Sequence, residues 1–350
     1  MIAPLVTEPS ASSIGFVAEN VTALTVVNSK IASGNAATGA AGAPAIQLVP
    51  VGSFAGQTGL YASYTGVIQS PNVPAERLGA AGGVGSCSGA AGHDGGQGAR
   101  GNGGAVWYAK PSAVGGEWIF MGGDLGGEPK DGADGATGAD GSSAQGIGTF
   151  SADGYRTSDG VAGTHGKPGT GGAGGAGNAP GILASPVRTQ YWFGNGGGSG
   201  GAGGCPGLAG GEGKGGGASV AVLAWDSPIT FEKTELESAD GGNGGRGTFA
   251  SMPTAGGAGG AGVYCPAGQT CNDPGPSAGG LPGGRGGDAG VSGSGAGGPS
   301  VVIAQHGAPP KLTSTKTKFG RAGFGVAEVS NNGRVIPASA DGEAKEVIDF

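Results

Sequence analysis

The chain has 350 residues, of which 87 are glycine, with 12% charged residues and a formal net charge of −7. Mild acidity with 18 Lys+Arg gives no cationic footprint for nucleic acid, and no apolar run approaches the roughly 20 residues needed to cross a bilayer. Disordered chains are apolar-poor and highly charged, whereas 37% of these residues are hydrophobic, gathered in short runs with glycine filling the intervals, so the chain is expected to be ordered.

The opening MIAPLVTEPS lacks the basic and long apolar regions of a signal peptide. Strand-like sequence begins within about 15 residues, which reads as a processed or excerpted chain. A first strand module lies near 13–33, SIGFVAENVTALTVVNSKIASGN, as a short apolar strand, a turn and a second strand. A glycine-rich segment near 80–104 follows, with Gly89, Gly92, Gly95, Gly98, Gly101 and Gly104 in phase every third residue. A weaker module sits near 103–121, then a segment near 131–141 carrying Gly132, Gly135, Gly138 and Gly141. The run near 160–177 has Gly160, Gly163, Gly166, Gly169, Gly172 and Gly175, and another weak module lies near 185–193. The segment near 194–217 holds Gly198, Gly201, Gly204, Gly207, Gly210, Gly213 and Gly216 without a miss. It leads into the module near 218–237, SVAVLAWDSPITFEKTELES, with apolar residues on both faces of its first strand. Further glycine-rich segments near 241–262 and 279–298, the latter with Gly284, Gly287, Gly290 and Gly293, precede the module near 299–319.

Three of these modules align when small gaps are allowed near their middles. Val220, Ile14 and Val301 then correspond, as do Val222, Phe16 and Ile303; Ile229, Leu24 and Leu312; and Leu236, Ile31 and Phe319. These residues are the expected module core. Trp107, Trp118, Trp192 and Trp225 lie at the strands and read as packing residues.

A period of three is that of polyproline II, whose backbone makes no internal hydrogen bonds and must find partners elsewhere. Glycine along one edge lets two such helices approach until their backbones bond. Runs of about ten to nineteen residues, broken by hydrophobic segments, do not suit collagen's uninterrupted triplet. The predicted fold is a mainly β/polyproline II repeat protein, residues 1–350 as one elongated domain. Short β-helix-like strand modules alternate with bundled polyglycine-II helices, with almost no α-helix, and each unit buries its apolar face against its neighbours.

No catalytic constellation emerges. G-x-G-x-x-G matches carry no information at this glycine content, and neither Lys167 nor Lys214 is followed by the Ser or Thr of a phosphate-binding loop. His93, His165 and His306 lack metal-ligand spacing. Asp94, Asp131, Asp134 and Asp140 sit near glycine turns without a calcium-repeat pattern, and read as solvated turn acids. Thr313, Thr315 and Thr317 share a strand face as on ice-binding solenoids, but the interleaved lysines fit a guarded edge strand better. No cofactor or metal site is expected. Cys265 and Cys271 are close enough to staple a small loop, while Cys87 and Cys205 lie in glycine-rich surroundings; the alternatives are free thiols or disulfides, the latter implying an oxidising compartment.

The stretches GGASVAVLAWDSPITFEKTELESADGGNGGRG (216–247) and GGPSVVIAQHGAPPKLTSTKTKFGRAG (297–323) resemble glycine-rich repeat proteins of the secreted or surface type found in myxobacteria. The triplet runs are similar to the polyglycine-II segments of phage tail-fibre tip adhesins and of a springtail antifreeze protein. The resemblance implies an extracellular or cell-surface location; with no nucleophile, base and orienter to nominate, the expected function is that of a non-enzymatic structural protein, a self-associating surface or filament subunit. Its alternatives are an adhesin binding a cell-surface glycan through loops such as 61–79 and 150–160, or an ice-binding protein.

Overall fold

The computed structural model describes residues 1–3, 6–60, 79–88, 96–98, 106–110, 117–122, 130–178, 190–193, 195–264 and 277–350. Among them there is no α-helix. The strands are β1 (Ser13–Glu19), β2 (Leu24–Val27), β3 (Lys30–Ala32), β4 (Val49–Ser53), β5 (Val84–Ser88), β6 (Val106–Lys110), β7 (Glu117–Gly122), β8 (Thr149–Ser151), β9 (Gly154–Arg156) and β10 (Gln190–Phe193). They continue with β11 (Ser219–Trp225), β12 (Ile229–Glu232), β13 (Glu235–Glu237), β14 (Ser300–His306), β15 (Lys311–Thr313), β16 (Lys316–Lys318), β17 (Val329–Asn331), β18 (Arg334–Ile336) and β19 (Ala344–Asp349).

Three stretches of sequence, each strand–corner–strand–corner–strand, lie side by side in parallel. Sheets β1-β11-β14-β19, β2-β12-β15 and β3-β13-β16 are the result. The register sets Ile14 and Val301 opposite Val220, and Phe16 and Ile303 opposite Val222. Leu24 stands opposite Ile229, and Ile31 opposite Leu236. Corners recur at matching places in left-handed backbone: Asn20, Asp226 and Gly307 end the first strands with φ of 52°, 46° and 90°. Asn28, Lys233 and Ser314 separate the second and third strands with φ of 47°, 49° and 53°. Glycine, Asn and Asp tolerate that region readily and other residues poorly, so four of the six corner residues suit their backbone.

β11 and β14 are buried along almost their whole length because both faces of their sheet are covered. On one side Val222, Ala224, Ile303, Ile229, Phe231 and Leu236 close a core against Phe16 and Leu24. On the other, Val220, Leu223, Val301 and Ala304 pack against Phe150 of the β8–β9 hairpin, Tyr155, Ile14 and Ile348. Continuous apolar strands such as SVAVLAW and SVVIAQH belong in such a doubly covered parallel sheet.

The gapped alignment of the third module differs from its ladder. Leu312 stands opposite Phe231, and Thr317 opposite Leu236. Leu312 and Phe319 are 38% and 47% exposed, outside the core. β14, β15 and β16 follow β11, β12 and β13 without any gap, so shifting the sequence to match apolar residues moved both positions by two. The weaker modules also differ: β6, β7 and β10 form an antiparallel sheet of order β10-β6-β7, with Trp192 opposite Trp107 and Trp118 opposite Ala109.

The glycine-rich runs have no strand pairing, yet their backbones bond at regular intervals of three. N–H groups of Gly198, Gly201, Gly204, Gly207, Gly213 and Gly216 donate to carbonyls of Ala278, Leu281, Gly284, Gly287, Gly293 and Ala296. The two runs are therefore parallel, and the same register passes through Ser219 N–H to Pro299 carbonyl into the β11–β14 ladder. Carbonyls of Gly217, Lys214, Leu208, Cys205, Ala202 and Ser199 accept from the antiparallel run Gly242, Gly245, Ser251, Thr254, Gly257 and Gly260. Those of Gly213, Gly207, Gly204, Gly201 and Gly198 accept from Gly160, Gly166, Gly169, Gly172 and Gly175. On a further side, N–H groups of Ser199, Ala202, Gly211, Lys214 and Gly217 donate to Gln57, Phe54, Ala43, Ala40 and Ala37.

Candidate functional site

The run 196–217 is the interior of this arrangement: residues 195–208 are all buried, although eight of the fourteen are glycine, with no side chain to bury. Backbone replaces side chain as the packing surface. At Gly201 an added Cβ would lie 2.0 Å from the Gly257 carbonyl oxygen and 2.6 Å from that of Ala258. The other in-phase glycines, Gly198, Gly204, Gly207, Gly210, Gly213 and Gly216, also face neighbouring chain at less than 3.0 Å from such an atom.

Many N–H groups not used between glycine edges are met by short polar side chains. Thr164 and Thr170 hydroxyls accept from Ala139 and Ala133 N–H at 2.7 and 2.6 Å. Thr254 accepts from Cys205 and Ser251 from Leu208. His165 Nδ1 accepts from Ala209 N–H at 2.9 Å. Asp134 and Asp140, read from sequence as solvated acids, accept from Arg285 and Val291 N–H at 2.7 and 2.9 Å. Burial pushes the Asp159 carboxyl up, but Gly215 N–H, Thr157 and Lys214 together outweigh it and hold it below the usual range. These groups bind backbone, and among the described residues no cluster of three or more His, Cys, Asp or Glu could hold a metal ion. His93 and Asp94 lie outside the described residues.

The serine that heads each parallel module joins the two kinds of structure. Ser13, Ser219 and Ser300 are buried, and their hydroxyls accept from Gly34, Ala239 and Gly320 N–H, where the chain leaves its third strand. Its signal in sequence is only a serine at the same place in three modules. Along β3, β13 and β16 the charges alternate: Glu237 pairs with Lys30 and Lys318, and these lysines hold its carboxyl below the usual range, Lys318 foremost. Thr313, Thr315 and Thr317 do not share one strand face: the corner at Ser314, φ 53°, separates β15 from β16, and Thr315 donates to the Phe231 carbonyl and Thr317 to Glu346.

Cys87 of β5 and Cys205 of the central run form a disulfide with Cα atoms 5.8 Å apart, packed with Leu48 and Leu208. Cys265 and Cys271, and most of the loop 61–79, lie outside the described residues. The loop 150–160 contains the β8–β9 hairpin, Phe150 facing Tyr155 across it.

The chain matches no family model, no curated protein and no solved structure.

One cleft gathers chemistry outside the lattice. It lies where β11, β14 and β19 end, with a volume of about 520 Å³, and is lined by Trp225, His306 and Phe350 and by Ile147 to Phe150. Trp225 and His306 stack at 4.3 Å and 11°, and Phe350 sits 5.7 Å from Trp225 and 5.2 Å from Phe150. His306 Nδ1 and Asp226 Oδ1 are 2.9 Å apart. Asp349, on the rim, accepts a hydrogen bond from Gln305 Nε2, and Gln305 itself is only 4% exposed. Glu343 and Lys345 complete the rim as an ion pair. Tyr155, next to Phe150, accepts from Gly148 N–H at 2.9 Å, and burial pushes its hydroxyl up to about 12. Trp225 and His306, read from sequence as a packing residue and an unassigned histidine, thus share one partly open surface.

Proposed function

We propose that this chain is a non-enzymatic structural protein of the cell exterior, whose rigid body is a bundle of polyproline II helices continuous with a β-helix-like stack. The observation that carries the reading is that six of the seven in-phase glycines of 198–216, all but Gly210, bond through N–H to the run 278–296 at steps of three. That spacing is the polyproline II period, and a lattice whose helices are tied to one another is stiff where a glycine linker would be loose. The three parallel modules with matching corners are the repeat that anchors it. The buried Cys87–Cys205 disulfide supports an oxidising, extracellular setting. Hydroxyls and carboxylates committed to backbone N–H groups support a scaffold over an enzyme.

Self-association into a surface layer or filament is part of this reading. Contact through the ends of the strand stack would bring Lys30 of one copy toward Lys316 and Lys318 of the next. Residues 1–3 already bridge the outer edge of β3, and the like charges further discourage that contact, so assembly uses other faces. No helix among the described residues is long and apolar enough to cross a membrane.

Two measurements test the proposal. Native-state hydrogen exchange is expected to protect the amides of 198–216 as one block, with a polyproline II band in circular dichroism; rapid exchange across this run overturns the lattice. Fractionation of the source cells with an antibody to the chain is expected to find it on the surface or in the medium, and recovery with cytosolic proteins overturns the extracellular role.

A further inference from the structure

We propose that the cleft at the ends of β11, β14 and β19 is a carbohydrate-binding site, taking a ligand of one or two sugar rings. This goes beyond the structural role and holds whether or not copies assemble. The first argument is the disposition of the rings. Trp225 and His306 are 11° from parallel, Phe150 and Phe350 25°, and Trp225 and Phe350 36°. The rings stack on one another in pairs, and the apolar ring surface left outside those stacks lines the cleft, where the C–H face of a sugar lies against it. An ammonium group would instead be enclosed by several ring faces turned toward it. The one steeply inclined pair, Phe150 with Tyr155 at 52°, points its hydroxyl to Gly148 N–H.

The second argument is that the polar groups around those rings are fixed before any ligand arrives. Asp226 orients His306, whose side chain is 42% exposed, and buried Gln305 orients Asp349. Fixed donors and acceptors beside an apolar platform suit hydroxyl groups, which require both. The rim mixes carboxylates with Lys345 and so carries no single sign of charge to select an anion or a polycation. The third argument is size: about 520 Å³ lies within the range of roughly 300–1,000 Å³ for small-molecule sites, and the cleft is open on one side, as a terminal sugar on a longer glycan requires.

The test uses the purified full chain. Saturation-transfer NMR is run with glucose, galactose, mannose, N-acetylglucosamine, lactose and chitobiose, beside a glycan microarray and tetramethylammonium as the competing chemistry. Transfer to the C–H face of at least one sugar, or retention on the array, is expected, with affinity reduced at least tenfold by Trp225→Ala and by Phe350→Ala. Should Trp225→Ala fail to fold, Phe350→Ala and Asp349→Asn at the rim carry the same expectation. Folded wild-type protein that binds no probe sugar and no array glycan overturns the proposal. So does sugar binding that survives these substitutions undiminished, or binding of tetramethylammonium alone.

Discussion

Replacing Gly201 by alanine adds one methyl group to the middle of the central run, and its cost can be worked from the distances. The new Cβ would stand 2.0 Å from the Gly257 carbonyl oxygen, 2.5 Å from its carbon and 2.6 Å from the Ala258 oxygen. Ordinary contact begins at roughly 3.5 Å, so the run 251–260 must retreat by more than about 1 Å. The bonds from Gly257 N–H to Ala202 and from Gly260 N–H to Ser199 are both 2.7 Å, and a retreat of that size takes them past about 3.2 Å. Overpacking costs about 1–3 kcal/mol, and each buried group left without its partner about 1–3 kcal/mol. The expected loss is about 3–9 kcal/mol, comparable with the roughly 5–15 kcal/mol of a whole folded protein. Gly146 is the matched control, since an added Cβ there meets nothing within 4 Å; Gly146→Ala is expected to be neutral, or stabilising by up to about 1 kcal/mol through the unfolded chain. Thermal unfolding of both variants by circular dichroism decides the matter. If Gly201→Ala melts with Gly146→Ala, the glycine edges are not in close contact and the reasoning fails.

Cys205→Ser, which opens a crosslink between residues 118 apart in sequence, is expected to cost about 2–5 kcal/mol, read as a lowered Tm. Dithiothreitol is expected to leave the folded protein's Cys87–Cys205 bond intact, because Cys205 is fully buried, and to reduce it after unfolding; mass spectrometry of alkylated protein distinguishes the two. Lys233→Gly at its corner of φ 49° removes a left-handed strain of roughly 1–2 kcal/mol against a glycine entropy cost of about 0.5–1 kcal/mol, so Tm is expected to rise slightly; a fall refutes the corner geometry. Tyr155 is expected to ionise near 12, with its ultraviolet tyrosinate signal appearing well above the ordinary tyrosine value of about 10. Because its folded value is raised, its contribution to stability is complete below pH 10 and is lost between about 10 and 12. Tyr155→Phe should flatten that alkaline loss.

The sequence stated some of this plainly and hid the rest for identifiable reasons. Val220, Ile14 and Val301 can be placed opposite one another because apolar, β-branched residues lead each module and a serine precedes them. The ends of the modules were harder, because hydrophobic matching pulled Leu312 and Phe319 onto core positions that Pro310 and Thr317 occupy by register. Pro310 follows the corner of the third module, so its strand opens without the apolar residue that Ile229 supplies in the second. Asp134 and Asp140 looked like solvent-facing acids because their N–H partners, Arg285 and Val291, are remote in sequence. No local pattern announces a bond across such a distance. The cleft was invisible for the same reason: Trp225, His306 and Phe350 belong to three separate segments, brought together only by strand register. The turn Asn332-Gly333, with φ of 49° and 77°, did carry a local hairpin signal, and it joins β17 to β18.

Bonding at every third residue also imposes a reading frame on length. On the proposed polyproline II geometry, adding one residue to the run 198–216 would turn everything after it by a third of a turn, presenting the occupied edge where Gly257 or Leu281 expects glycine. Two residues would do the same with the other edge; only three restore the pattern. Because the run 278–296 rides in the same register and both feed directly into β11 and β14, an added triplet in one has to be matched in its neighbours or absorbed in a connecting segment. Divergence of this protein, and any attempt to lengthen it by design, is therefore confined to steps of three made in several distant places at once.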